Sequence, residues 1–193
     1  MEKTSVYIVL SRPRTVVSDL IYFVTKDTYT HAAISFDREL RTMYSFGRKY
    51  PHNPFYGRFK KEAFDTGIYK GIDHLPGAVI ELAVTQEQYD KAWELLSEFL
   101  THPEKYKYNY LGLIDHLHER PVCRENRFVC SEFVYYLLHN SGILDLGVSP
   151  NLVRPQTFLQ AEGNIVFEGN LKHASPVYRS QTDLFTNSVL VVE

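Results

Sequence analysis

The sequence predicts an α+β fold built on an antiparallel sheet. Short strand patterns crowd the first half of the chain, and two strong amphipathic helix patterns follow them, separated by a loop. A cluster of strands followed by helices is the order expected when helices gather on an antiparallel sheet. No internal repeat or low-complexity tract suggests another architecture.

Residues 5–10 form a β-branched run that stops before Pro13 and read as a strand. Residues 15–25 are apolar at Val16, Val17, Leu20, Ile21 and Val24, the spacing of an amphipathic helix. Residues 30–36 alternate as a strand does, with His31, Ala33 and Ser35 on one face and Ala32, Ile34 and Phe36 on the other. A charged turn at 37–41 leads to a strand at 42–46, and Pro51, Asn53 and Pro54 mark a loop over 50–57. Residues 59–64 and 78–84 complete the strands of this half.

Thr85-Gln86-Glu87-Gln88 is a capping box, so a helix begins at Thr85 and ends before Pro103. Residues 104–127 are aromatic at first, then polar, and read mostly as loop. Residues 129–140 form a second helix with Phe133, Val134, Leu137 and Leu138 on one stripe and Gly142 ending it. A short helix after Pro155 and a last strand over 164–169 follow.

Composition narrows the function classes. The chain has 193 residues, which fits one domain over 1–193. Lys and Arg number 21 against 23 Asp and Glu, so no basic excess marks a nucleic-acid binder or an anionic-membrane binder. The apolar run at 6–10 is shorter than a signal-peptide core, and no stretch is long enough to span a bilayer. The expected location is the cytoplasm, where the two cysteines, Cys123 and Cys130, form no disulfide framework. The 14 Tyr and 12 Phe, against one Trp, fit either a core or a cleft.

Cys130 is the sharpest chemical feature. It stands where the extended Phe128-Val129 approach becomes a helix, near unpaired backbone N–H groups and the positive end of the helix dipole. That setting favours the nucleophilic thiolate. A small buried residue at a helix start is the other reading. Among eight histidines, His31 lies on a strand beside small neighbours, a face that another element, such as the helix bearing Cys130, can approach closely. His116 and His118 near Cys123 lack the spacing of a structural zinc site.

Three blocks resemble the circularly permuted NlpC-type papain-like cysteine hydrolases, particularly the YiiX-like branch, with lecithin retinol acyltransferases as distant relatives. They are Thr30-His31-Ala32-Ala33-Ile34, then Glu62-Ala63 with Gly67-Ile68, then Phe128-Val129-Cys130-Ser131-Glu132-Phe133-Val134. His31 precedes Cys130, the order that the permuted branch implies. The resemblance implies a papain-like fold with Cys130 as nucleophile, His31 as base and Glu62 orienting the imidazole. Ser45 is the alternative third residue and Glu81 a weaker one, while Glu62 also reads as a solvated residue beside Lys60 and Lys61. Tyr108 falls in a segment resembling the family's tyrosine-containing stretch. Together with Tyr44 it is a candidate substrate contact at a cleft mouth.

The expected activity is a thiol hydrolase or acyltransferase acting on an amide or ester through a thioacyl intermediate, without a cofactor or metal. Its partner would be a small-molecule, peptide or lipid substrate, with no nucleic acid and no stable membrane insertion. The sequence leaves the oligomeric state open. The alternative is a non-catalytic binding module of the same fold that uses an aromatic cleft for a peptide, lipid or glycan.

Overall fold

A computed structural model of the chain describes residues 4–13, 16–48, 57–110 and 124–174. Six strands form one antiparallel sheet: β1 (Thr4–Ser11), β2 (His31–Ser35), β3 (Met43–Arg48), β4 (Gly57–Glu62), β5 (Pro76–Val84) and, last in the chain, β8 (Asn164–Asn170). Their order across the sheet is β4-β3-β2-β1-β5-β8. Among the described residues it is accompanied by the helices α1 (Val16–Thr25), α2 (Gln86–Thr101) and α3 (Cys130–Asn140). The fold is therefore mixed α+β with an antiparallel sheet, as expected. Among the described residues, no helix is long and apolar enough to cross a membrane.

The alternation of β1 and β2 divides the buried residues into two groups, one on each face of the sheet. Val6, Ile8, Leu10, Ala32, Ile34, Tyr44 and Phe46 belong to the main core with α2 and α3. Tyr7, Val9, Ala33 and Met43 belong to a smaller core with Tyr69, Leu75 and Leu171. The main core is strongly aromatic. Phe133 of α3 lies 5.4 Å from Phe46 and 5.0 Å from Phe99 between ring centroids, and Tyr106 stacks on Phe99 at 4.0 Å. Much of the tyrosine and phenylalanine content thus fills the interior.

Both long helices are closed by the residues that the sequence marks. Gln88 N–H donates to Thr85 Oγ1 at 3.2 Å and Thr85 N–H to Gln88 Oε1 at 3.0 Å, a reciprocal capping box. Gly142, with φ of 69°, turns the chain at the end of α3, where Ile143 N–H reaches back to the Leu138 carbonyl.

The segment after Pro155 is a short helix, as expected, of the 3-10 type over Pro155–Gln160, in which Thr157 N–H bonds the Arg154 carbonyl three residues back. Two expectations change. The predicted loop at 104–127 contains two short strands, β6 (Lys107–Tyr108) and β7 (Arg127–Phe128), paired in parallel. The helix bearing Cys130 packs on the Ala32 and Ile34 face of β2, not on the Ala33 and Ser35 face. Ala32, fully buried and small, admits α3 there, whereas the Ser35 hydroxyl turns to the Asp37 and Thr42 carbonyls.

Phe133 is fully buried where α3 meets the sheet, so Phe133→Ala removes a ring that packs against those of Phe46, Phe59 and Phe99. Urea denaturation should show a loss of about 3–5 kcal/mol.

Candidate active site

His31 is the first residue of β2 and Cys130 the first residue of α3. Because α3 packs along β2, the two element starts meet, and Cys130 lies close enough to the His31 ring to help raise its pKa. The other side of the ring is taken by Glu62, the last residue of β4, whose Oε2 lies 3.0 Å from His31 Nε2. With Nε2 committed to the carboxylate, Nδ1 is the nitrogen left for the sulfur. All three residues are buried, with 9% of Cys130, 8% of His31 and 5% of Glu62 exposed.

The carboxylate is held by more than the histidine. Tyr69 OH donates to the same Oε2 at 3.2 Å, and Lys60 Nζ lies 2.8 Å from Oε1. Tyr69 belongs to a 3-10 turn, Gly67–Tyr69, whose carbonyl accepts from Lys172 Nζ at 2.7 Å. Lys172 also donates to the Phe64 carbonyl, so the 3-10 turn Leu171–His173 that follows β8 straps this turn in place. Ser11 Oγ lies 3.5 Å from Tyr69 OH and completes the network from β1.

These contacts set the charge states. Burial by itself would strip the proton from His31. Burial is the largest single effect, but the charge of Glu62, its hydrogen bond and the neighbouring Cys130 together outweigh it, and the pKa rises to about 9. Burial likewise opposes ionisation of Glu62, but His31 and Lys60 hold its carboxyl far below the usual carboxylate range. Burial, followed by the Glu62 charge, pushes the Tyr69 hydroxyl well above its ordinary value, so it remains a donor. The network thus stabilises positive charge on the imidazole opposite an ionised carboxylate.

The start of α3 is anchored from the side. Glu132 Oε2 accepts from Val129 N–H at 2.7 Å, and both Glu132 oxygens lie 3.2 Å from Asn109 Nδ2. Asn109 N–H in turn donates to the Phe128 carbonyl at 3.0 Å, which ties the end of β6 to β7. The peptide entering Cys130 is thereby fixed on both sides.

The other candidates lie elsewhere. Ser45, buried on β3, has no hydrogen-bond partner for its hydroxyl among the described residues, and Glu62 is the group that reaches His31. Glu81 accepts from Tyr7 OH at 2.9 Å, two strands away from β2. Tyr44 is 6% exposed in the main core, stacked against Phe59, on the face of the sheet opposite Glu62 and Lys60. It is a packing residue rather than a cleft-mouth contact. Tyr108 is half-buried, with its ring 4.8 Å from that of Tyr110. Cys123, His116 and His118 lie outside the described residues, as do the aromatic residues of 50–56; among the described residues no cluster could hold a metal ion.

Lys60, Tyr69 and Glu132 were not singled out by sequence. Lys60 and Glu62 are two apart on a strand, which places them on one face, and that spacing was the available signal. Nothing local marks Tyr69, which reaches the site through a turn. Comparisons with family models, with curated proteins and with solved structures find no match for this chain.

The shifted pair makes stability depend on pH. His31 is raised above its ordinary 6.5, so its contribution is full below that value and is lost as pH rises through about 9. Glu62 is depressed below 4.5, so its contribution is present above that value and is lost as pH falls. Urea titrations should give a wild-type stability that declines between pH 6.5 and 9. Glu62→Gln should be less stable at pH 6 and flat over that interval.

Proposed function

We propose that this chain is a cysteine-dependent hydrolase or acyltransferase that cleaves an amide or ester through a thioacyl intermediate. The observation that carries the proposal is the buried line from Cys130 through His31 to Glu62, drawn from three elements far apart in sequence. A thiol, an imidazole and an orienting carboxylate in series are the parts needed to activate a sulfur nucleophile. The resemblance of the three sequence blocks to the permuted papain-like cysteine hydrolases supports the same reading, with His31 ahead of Cys130 in the chain.

In this mechanism Cys130 gives its proton to His31, and Glu62 stabilises the imidazolium through Nε2. The thiolate attacks the substrate carbonyl, and backbone N–H groups at the start of α3 face the developing oxyanion. The imidazolium then protonates the leaving amine or alcohol. Water or an acceptor, deprotonated by His31, attacks the thioester and regenerates the thiol. The residues supply every proton transfer, so the reaction needs no metal.

The alternative of a binding module with an aromatic cleft draws less support, because Tyr44 and much of the phenylalanine content pack into the main core. An ion pair buried with a cysteine has no evident use in such a module.

His31→Asn removes the base while keeping a polar side chain of similar size. Alkylation of Cys130 by iodoacetamide at neutral pH, followed by peptide mass spectrometry to separate it from Cys123, should slow by about 100-fold. An unchanged rate would remove His31 from the mechanism.

A further inference from the structure

Glu62 is approached on its other oxygen by a lysine whose path has been cleared. Lys60 Nζ lies 2.8 Å from Glu62 Oε1, and only 16% of the lysine side chain and 3% of the glutamate side chain are exposed. The neighbouring strand β3 carries Gly47 at this point. A Cβ there would stand 2.7 Å from Lys60 Cε, 3.2 Å from Nζ and 3.5 Å from Glu62 Oε1. The lysine stem therefore lies over the glycine, in space that a side chain at position 47 would take. Desolvating an ammonium is costly unless it is paired, so this arrangement calls for a reason beyond surface charge.

We propose that Lys60 is a positioning residue that supplies the fourth charge of the site, allowing Cys130 to ionise without leaving net negative charge buried. The inference rests on the thiol-hydrolase reading, since it concerns how the thiolate forms. Before proton transfer the site holds Glu62 carboxylate and Lys60 ammonium, which cancel. Transfer breaks the Cys130 S–H bond and forms an N–H bond on His31, adding one negative and one positive charge, which also cancel. Without Lys60 the same site carries one buried negative charge in both states. It then relieves that charge by taking a proton from solvent, which leaves imidazolium, carboxylate and neutral thiol.

The surrounding groups do not replace the lysine. Tyr69 from the 67–69 turn stays protonated, and Ser11 from β1 is neutral. Arg58, on the same strand as Lys60, is exposed to solvent, where its charge is screened. Among the described residues, Cys130 and His31 are the other titratable groups of the network, and they are those being tuned.

The test is the pH dependence of Cys130 alkylation by iodoacetamide in the full chain, read by peptide mass spectrometry, for wild type, Lys60→Met, Lys60→Arg and Gly47→Ala. Lys60→Met should move the midpoint up by about one pH unit, a loss of about tenfold in rate at neutral pH. Lys60→Arg should keep the wild-type midpoint. Gly47→Ala, which retains the lysine but displaces it, should shift as Lys60→Met does. A uniform slowing with an unmoved midpoint would mean that Lys60 only props the strand, and it would overturn the proposal. Should circular dichroism show Lys60→Met to be unfolded, Gly47→Ala decides by the same criterion. The readout needs no turnover: variants that shift as stated, beside a wild type that processes no acyl substrate, refute the hydrolase reading and leave the role of Lys60 standing.

Discussion

The buried pair of His31 and Glu62 is the constraint to which the rest of the site answers. Two ionised groups taken out of water are tolerated only when each finds good partners. The carboxylate finds three partners: the imidazole and the Tyr69 hydroxyl hydrogen-bonded at Oε2, and the Lys60 ammonium paired by charge at Oε1. The last two come with their own support. Tyr69 needs the strap from Lys172, and Lys60 needs the glycine at position 47. Side chains that look unrelated in sequence thus serve one carboxylate.

The sheet separates two tasks. Its α3 face carries a dense aromatic core that fixes the height and direction of α3, and its other face carries the charged network. Cys130 stands at the end of the helix, where it can reach His31 at the start of β2. The helix is fixed at this point by Glu132, which accepts from Val129 N–H and from Asn109. Packing on one face therefore sets the distance for chemistry on the other. Such rigidity suits a site whose geometry must be held before substrate arrives.

Much of this was legible in the sequence because local patterns carried it. Strand alternation at 30–36, the Thr85 capping box and Gly142 after α3 each rest on a few neighbouring residues, and each is found in place. His31, Glu62 and Cys130 were named from short blocks, and the structure brings them together. What could not be read locally depends on pairing across the sheet. Ala33 and Ser35 looked like the face for a helix, but the apolar row of Ala32 and Ile34 receives it. Tyr44 looked like a cleft residue because an exposed ring and a core ring share one composition. The parallel pairing of β6 and β7 joins residues about twenty apart, and no periodicity announces such a contact. Lys60 was not singled out, since the glycine that admits it lies on another strand.

The account turns on Cys130 acting as a nucleophile under the control of His31. Intact-mass measurement after mixing with p-nitrophenyl acetate tests this most directly. The account predicts one acetyl group per chain, mapped to Cys130, which forms rapidly in wild type and decays by hydrolysis. It also predicts that His31→Asn, folded as wild type, accumulates almost none on the same timescale. Absence of the adduct in wild type, or equal acetylation in His31→Asn, would contradict it.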